Sequence, residues 1–154
     1  MTDFAAAFKQ GQVAAKQAVL AKEEIDGVLQ SLSHDLLGAT EGKLRIAIFE
    51  YNTVASGLIT MAMAISSMPS DASKGIAKEK WICAVNGKAI NDQETKIARW
   101  ERPHEGYPCS ITFEKREIRC HDREALELAL AGLLQSAWVG EQLRELLERP
   151  VRGL

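Results

Sequence analysis

Ten positions in the first third of the chain, Phe4, Phe8, Gly11, Ala15, Ala18, Lys22, Ile25, Leu29, Leu32 and Leu36, fall on alternating steps of four and three residues. Such spacing lines one side of an α-helix for about five heptads, and a strand cannot use it because strand side chains alternate faces. The stripe therefore predicts an N-terminal helical segment over residues 1–38, with Thr2 or Asp3 as its N-cap. Gly38 and the Thr-Glu-Gly run at 40–42 end it. Lys22 and the glycines at 11 and 27 interrupt the stripe, which leaves two forms open, one long helix or a helical hairpin turning at 21–27. It also has two uses. It covers one face of a sheet, or it is a seam for another copy of the chain, a homodimer being favoured, through Phe4, Phe8, Ala15, Ile25 and Leu29.

From Lys43 the hydrophobic period changes to two. Leu44, Ile46 and Ile48 alternate with Arg45, Ala47 and Phe49 as far as Tyr51, which predicts a strand. Residues 57–66 fit either a strand or a helix, with a slight lean to strand, and Met-Pro-Ser-Asp at 68–71 is a turn. Further strands are expected at Lys80–Val85 and Thr95–Arg102, with Asn86-Gly87 as a type I′ turn returning into Lys88–Ile90. Cys109–Phe113 and Glu117–Cys120 form a hairpin around Glu114–Arg116. In it, Cys109, Ile111, Phe113, Ile118 and Cys120 share one face. Asp122 caps a C-terminal helix over 122–149 that carries Leu126, Leu130 and Leu133, with Gly140 as a possible break. The expected architecture is a single α+β domain over 1–154, with an antiparallel meander of five or six strands (43–121) packed by helices from both ends. At 154 residues, 46% hydrophobic and 26% charged, the chain has the make-up of an ordinary globular domain, not of a disordered or disulfide-dense one.

Charge narrows the partner classes. Nineteen basic and 21 acidic side chains give a net charge of −2. Only residues 74–123 run basic, with eleven basic against eight acidic side chains. Tyr51–Ser70 lacks charges but is interrupted by Asn52, Thr53, Ser56, Gly57, Thr60 and Pro69, so it reads as a core element and no membrane association is expected. Three cysteines and no visible leader point to free thiols in a reducing compartment, with a cytoplasmic location as the default.

Chemical motifs are sparse. Cys83, Cys109, Cys120, His104 and His121 lack the close pairs that aim two ligands at one zinc ion, so no metal and no cofactor are expected. Adjacent Cys120 and His121 point to opposite faces of a strand, out of reach of one another as nucleophile and base. The glycines match no phosphate-cradling loop. What remains is the segment from Arg99 to Tyr107, where Arg99, Trp100, Arg102, His104 and Tyr107 sit beside a loop bracketed by Pro103 and Pro108. Trp100 shares strand parity with Lys96 and Arg102 and is expected to be exposed. An exposed Trp between arginines on a stiff loop is how a protein-binding hot spot is built. The expected function is a non-enzymatic factor that binds another protein, of accessory, inhibitor or immunity, or assembly-chaperone type, acting through the N-terminal helix and the 99–108 loop. One alternative is a nucleic-acid binder using the basic and aromatic middle segment. The other is a small hydrolase or transferase using His104, Glu105 and Tyr107, which requires a cleft at that loop.

Overall fold

The computed structural model describes residues 1–53 and 77–153. The readings at 57–66 and 68–71 lie outside them. Helix α1 runs unbroken from Phe4 to Ala39, so the long-helix form holds and the hairpin does not. Asp3 caps it by accepting from the Ala6 N–H at 3.1 Å. Its last turn closes on Thr40, whose N–H and hydroxyl both donate to the Leu36 carbonyl, and Glu41 and Gly42 then turn the chain with positive φ.

Among the described residues five strands follow, β1 (Leu44–Thr53), β2 (Ala77–Asn86), β3 (Thr95–Glu101), β4 (Cys109–Phe113) and β5 (Arg116–Cys120). They pair antiparallel in chain order, β1-β2-β3-β4-β5. Helices α2 (Arg123–Gln135) and α3 (Ala137–Leu147) complete the α+β domain. The expected C-terminal helix is thus two helices, and the break falls at Ser136 instead of Gly140. Ser136 has extended backbone, and its hydroxyl accepts from the Val139 N–H to cap α3. Asp122 caps α2 in the same way, as expected.

One face of the sheet carries Leu44, Ile46, Ile82, Ala84, Ile111 and Phe113. It joins Ile25 and Val28 of α1, Leu126, Leu130 and Leu133 of α2, and Val139 and Leu146 of α3 in one core. The other face carries Phe49, Tyr51, Trp81, Cys83 and Arg99, by the register of the ladders. In the β4–β5 hairpin the shared face of Cys109, Ile111, Phe113, Ile118 and Cys120 is as expected. Its two-residue turn is Glu114-Lys115, both at positive φ.

Two expectations fail for stated reasons. Trp100 is buried, 3% exposed, because β3 carries a bulge. Ile82 pairs with Ala98 and Cys83 with Lys96, so Ile97 is the extra residue, and Ile97 and Ala98 both face inward. The parity that ties Trp100 to Lys96 is broken there. Asn86-Gly87 makes no tight hairpin. Gly87 lacks positive φ, and Asn86 is wholly buried instead, its amide donating to the Leu146 carbonyl at 2.7 Å and accepting from the Lys88 N–H at 3.1 Å. The wider loop after β2 is held by the C-terminal tail, where Arg152 reaches the Gly87 and Ala89 carbonyls and Val151 bridges Ala89.

Asn86→Ala removes the shorter of the bonds to that buried α3 carbonyl, leaving it the Arg149 N–H at 3.3 Å, and takes the acceptor from the Lys88 N–H, so it is expected to lower stability by about 1–3 kcal/mol. Urea unfolding checks it, and an unchanged midpoint contradicts it.

Candidate functional site

The residues singled out between 99 and 107 do not form one surface. Arg99 lies on the sheet face opposite the helices, with Glu79 at 3.4 Å and Glu101 at 3.5 Å. Trp100 points the other way, into the core. The remaining three hold α1. Arg102 meets Asp26 at 2.8 Å, the Tyr107 hydroxyl donates to Glu24 at 2.6 Å, and His104 Nδ1 lies 3.4 Å from Lys22 Nζ. Between these contacts Gly106 sits against the helix itself. A Cβ there would come within 2.7 Å of the Ala21 Cβ, and its φ is +93°. The proline-bracketed loop is therefore a clasp on the helical turn 21–26. Burial and the bond to Glu24 hold the Tyr107 hydroxyl well above the ordinary tyrosine range.

The clasp divides α1 in two. Beyond it Ile25, Val28, Leu29, Leu32 and Leu36 pack on the core. Before it, every residue from Met1 to Gln17 is exposed, and Ala18 is the first buried side chain. The expected seam is split accordingly. Ile25 and Leu29 belong to the docked half, while Phe4, Phe8 and Ala15 lie on the projecting half, with Phe4 78% and Phe8 67% exposed. Val13, Val19 and Leu20 are exposed there too. The sequence carries no sign of the boundary, since the stripe continues through Ala18 without a break.

The three thiols are buried and free. Burial pushes Cys109 up to about 12, helped by the neighbouring Cys120, and it raises Cys83 and Cys120 as well. Such thiols stay protonated at neutral pH and are inert as nucleophiles. Among the described residues no cluster of three His, Cys, Asp or Glu side chains could hold a metal ion. No helix among them is long and apolar enough to cross a membrane. A cleft of about 350 Å³ does lie beside the 103–108 loop, lined by Glu101, Arg102, Glu105, Ser110, Glu117 and Arg119 among others. His104 and Tyr107 do not line it, so the trio His104, Glu105 and Tyr107 is not gathered around one space. On the sheet face away from the helices, Lys96 Nζ stands 4.0 Å from the Tyr51 ring centre and 5.0 Å from that of Trp81, and the Tyr51 hydroxyl donates to Glu94 at 2.9 Å. Sequence reasoning missed this cluster because Tyr51, Trp81 and Lys96 come from three strands.

Comparisons with protein-family models, with curated proteins and with solved structures find no match for this chain.

Two outcomes follow from the clasp and the thiols. Gly106→Ala forces the loop off α1 and is expected to cost about 1–3 kcal/mol, whereas Arg102→Ala removes a surface ion pair worth about 0–1 kcal/mol. Equal costs in thermal unfolding contradict that ranking. The Cys109 thiol titrates near its ordinary 9.0 when unfolded and near 12 when folded, so the unfolded chain releases its proton first as pH rises. Its contribution is complete below pH about 9 and is lost toward pH about 12. Unfolding free energy is expected to fall across that window, and less steeply in Cys109→Ala.

Proposed function

We propose that this chain is a non-enzymatic protein-binding factor whose docking element is the projecting half of α1, which pairs first with a second copy of the chain. The observation that carries this reading is the bare helix. Phe4 and Phe8 stand one turn apart on a segment with no buried residue before Ala18. Large exposed apolar side chains gathered on one helix mark an interaction surface, and an amphipathic helix finds its partner through such spaced anchors.

Charge favours an antiparallel pairing. The projecting half carries only Asp3, Lys9 and Lys16. A parallel pair sets each of these beside its own copy, whereas an antiparallel pair centred near residues 9 and 10 brings Asp3 of one chain level with Lys16 of the other. Alanines at 5–7, 14 and 15 and Gly11 let two such helices approach closely. In this reading the 102–107 loop contributes by fixing the direction in which α1 projects.

Ion pairing in the basic segment weighs against the nucleic-acid alternative. Arg99, Arg102, Arg116, Arg119 and Arg123 each meet a carboxylate within 4 Å, and a phosphate-binding face is normally cleared of carboxylates. Affinity for single-stranded nucleic acid that falls steeply with salt would reverse this ordering.

The test is sedimentation velocity with native mass spectrometry on the full chain. Wild-type protein is expected to form a dimer or a fixed-stoichiometry complex. Phe4→Glu with Phe8→Glu is expected to be monomeric, with stability within about 0.5 kcal/mol of wild type because neither residue is in the core. A wild-type chain that stays monomeric and brings down no protein at fixed stoichiometry overturns the reading.

A further inference from the structure

The outer edge of the sheet carries a second, different surface. β1 is the edge strand, ten residues long. Its N-terminal hydrogen bonds reveal which of its amides face outward. The Lys43 carbonyl accepts from the Gly87 N–H on the β2 side. The Leu44 N–H instead donates to Thr40 Oγ1 at 2.9 Å and the Ile46 N–H to Ser33 Oγ at 3.0 Å, both on the side away from β2. In an antiparallel ladder every second residue presents its amide to the same side. Ile48 and Glu50 therefore also point outward, and among the described residues their N–H groups meet no acceptor. The Ser33 and Thr40 hydroxyls close the first half of the edge, and among the described residues the second half has no partner.

Beside that unpaired stretch lies a groove of about 460 Å³. Leu29, Ser33, His34 and Leu37 of α1 line one side and the consecutive residues Ile46, Ala47 and Ile48 the other. Consecutive strand residues point their side chains to opposite faces, so it is the edge of the strand, backbone included, that forms this wall. A second space of about 270 Å³ shares Asp26, Leu29 and Ile48 with the first and continues to Trp100. The charges along the groove balance in number. Asp26 is met by Arg102 at 2.8 Å, and Glu50 stands opposite Lys80 in the β1–β2 register without an ion pair between them. The first groove, neutral overall and mostly apolar, suits uncharged side chains.

We propose that the outer edge of β1 at Ile48–Glu50 binds an extended polypeptide segment of a partner protein by strand addition, with the segment's alternate apolar side chains entering the groove between β1 and α1. The proposal rests on the protein-binding reading but uses a surface separate from the projecting helix. Free amides two residues apart match the repeat of an extended chain, and pockets for alternate side chains supply selectivity. A helix satisfies its own backbone and leaves these donors unmet. A second copy's β1 is a poor occupant, because Leu44 and Ile46 are buried in that copy's own core.

The test selects short random peptides displayed on phage against the intact protein and follows amide hydrogen exchange by NMR with the selected peptides. Saturating peptide is expected to slow exchange at Ile48 and Glu50 by about tenfold or more and to leave Ala47 and Phe49, already in the ladder, unchanged. N-methylation at alternate peptide backbone positions is expected to weaken binding by about tenfold or more, a result that does not depend on altering the protein. Ile48→Pro removes an outward N–H at an edge, where proline is tolerated, and is expected to abolish binding. Selection that yields no peptide, or peptides that protect other amides or tolerate N-methylation, overturns the proposal. Peptides that instead require Phe4 and Phe8 overturn it while leaving the protein-binding reading in place.

Discussion

The docking of the second half of α1 across the sheet is the contact on which the rest of the molecule depends. Ile25 is wholly buried, and Val28, Leu29, Leu32 and Leu36 pack beside it along the core-facing residues of the sheet. Each large side chain taken from water in this way contributes about 1.5–3 kcal/mol, while the Arg102–Asp26 pair, with Asp26 57% exposed, contributes about 0–1 kcal/mol. The apolar contact therefore holds the helix down. The polar contacts of the 102–107 loop set its register, because Glu24, Asp26 and Lys22 each have one partner on a loop that also fits Gly106 against Ala21. Ser33 and Thr40 extend the same docking to the edge of β1, where the two hydroxyls bond strand amides.

Length then dictates what is left over. A 36-residue helix spans about 54 Å, against about 33 Å for the longest strands of ten residues. No placement of α1 along this sheet can cover all of it. The anchor lies in the second half, so the overhang falls on the N-terminal half and exposes Phe4 and Phe8. The two readings of the heptad stripe are thus both embodied in one helix, divided at the clasp. A periodic stripe states that one side of a helix meets something apolar, and it is silent on whether that is the same chain's sheet or another surface.

Elsewhere the legible parts are those in which local pattern and tertiary environment agree. The period switch at Lys43 and the hairpin faces of β4 and β5 are legible because alternation continues to the strand ends, whereas the strand order β1-β2-β3-β4-β5 comes from the structure alone. Parity puts Trp100 on the wrong face because one extra residue in β3 inverts the alternation beyond it, and nothing in Lys96–Ile97–Ala98 marks a bulge. Asn86-Gly87 has the composition of a tight turn, but the Asn86 side chain is used by α3 sixty residues later, a contact invisible to local reading. The true type I′ turn, Glu114-Lys115, carries neither Asn nor Gly. The clasp is not legible in the local sequence, because the partners of Arg102, His104 and Tyr107 are Asp26, Lys22 and Glu24, about eighty residues away.

The division of α1 also bears on how its free half can act. A short helix alone in water is marginal, because the first turn fixes several residues for a single hydrogen bond. Here the docked half has already met that nucleation cost, and each further turn toward the N-terminus needs only propagation, ending where Asp3 caps the first turn by accepting from the Ala6 N–H. Ala5–Ala7, Ala14 and Ala15 favour that propagation. A partner that meets Phe4 and Phe8 encounters a preformed helix and loses little conformational entropy in binding it, so a small apolar contact can suffice. The same rigidity carries a constraint. The direction of the projecting half is set by the turn gripped at Ala21–Asp26, so any change that loosens Gly106 or Tyr107 from α1 alters how the docking surface is presented without touching Phe4 or Phe8.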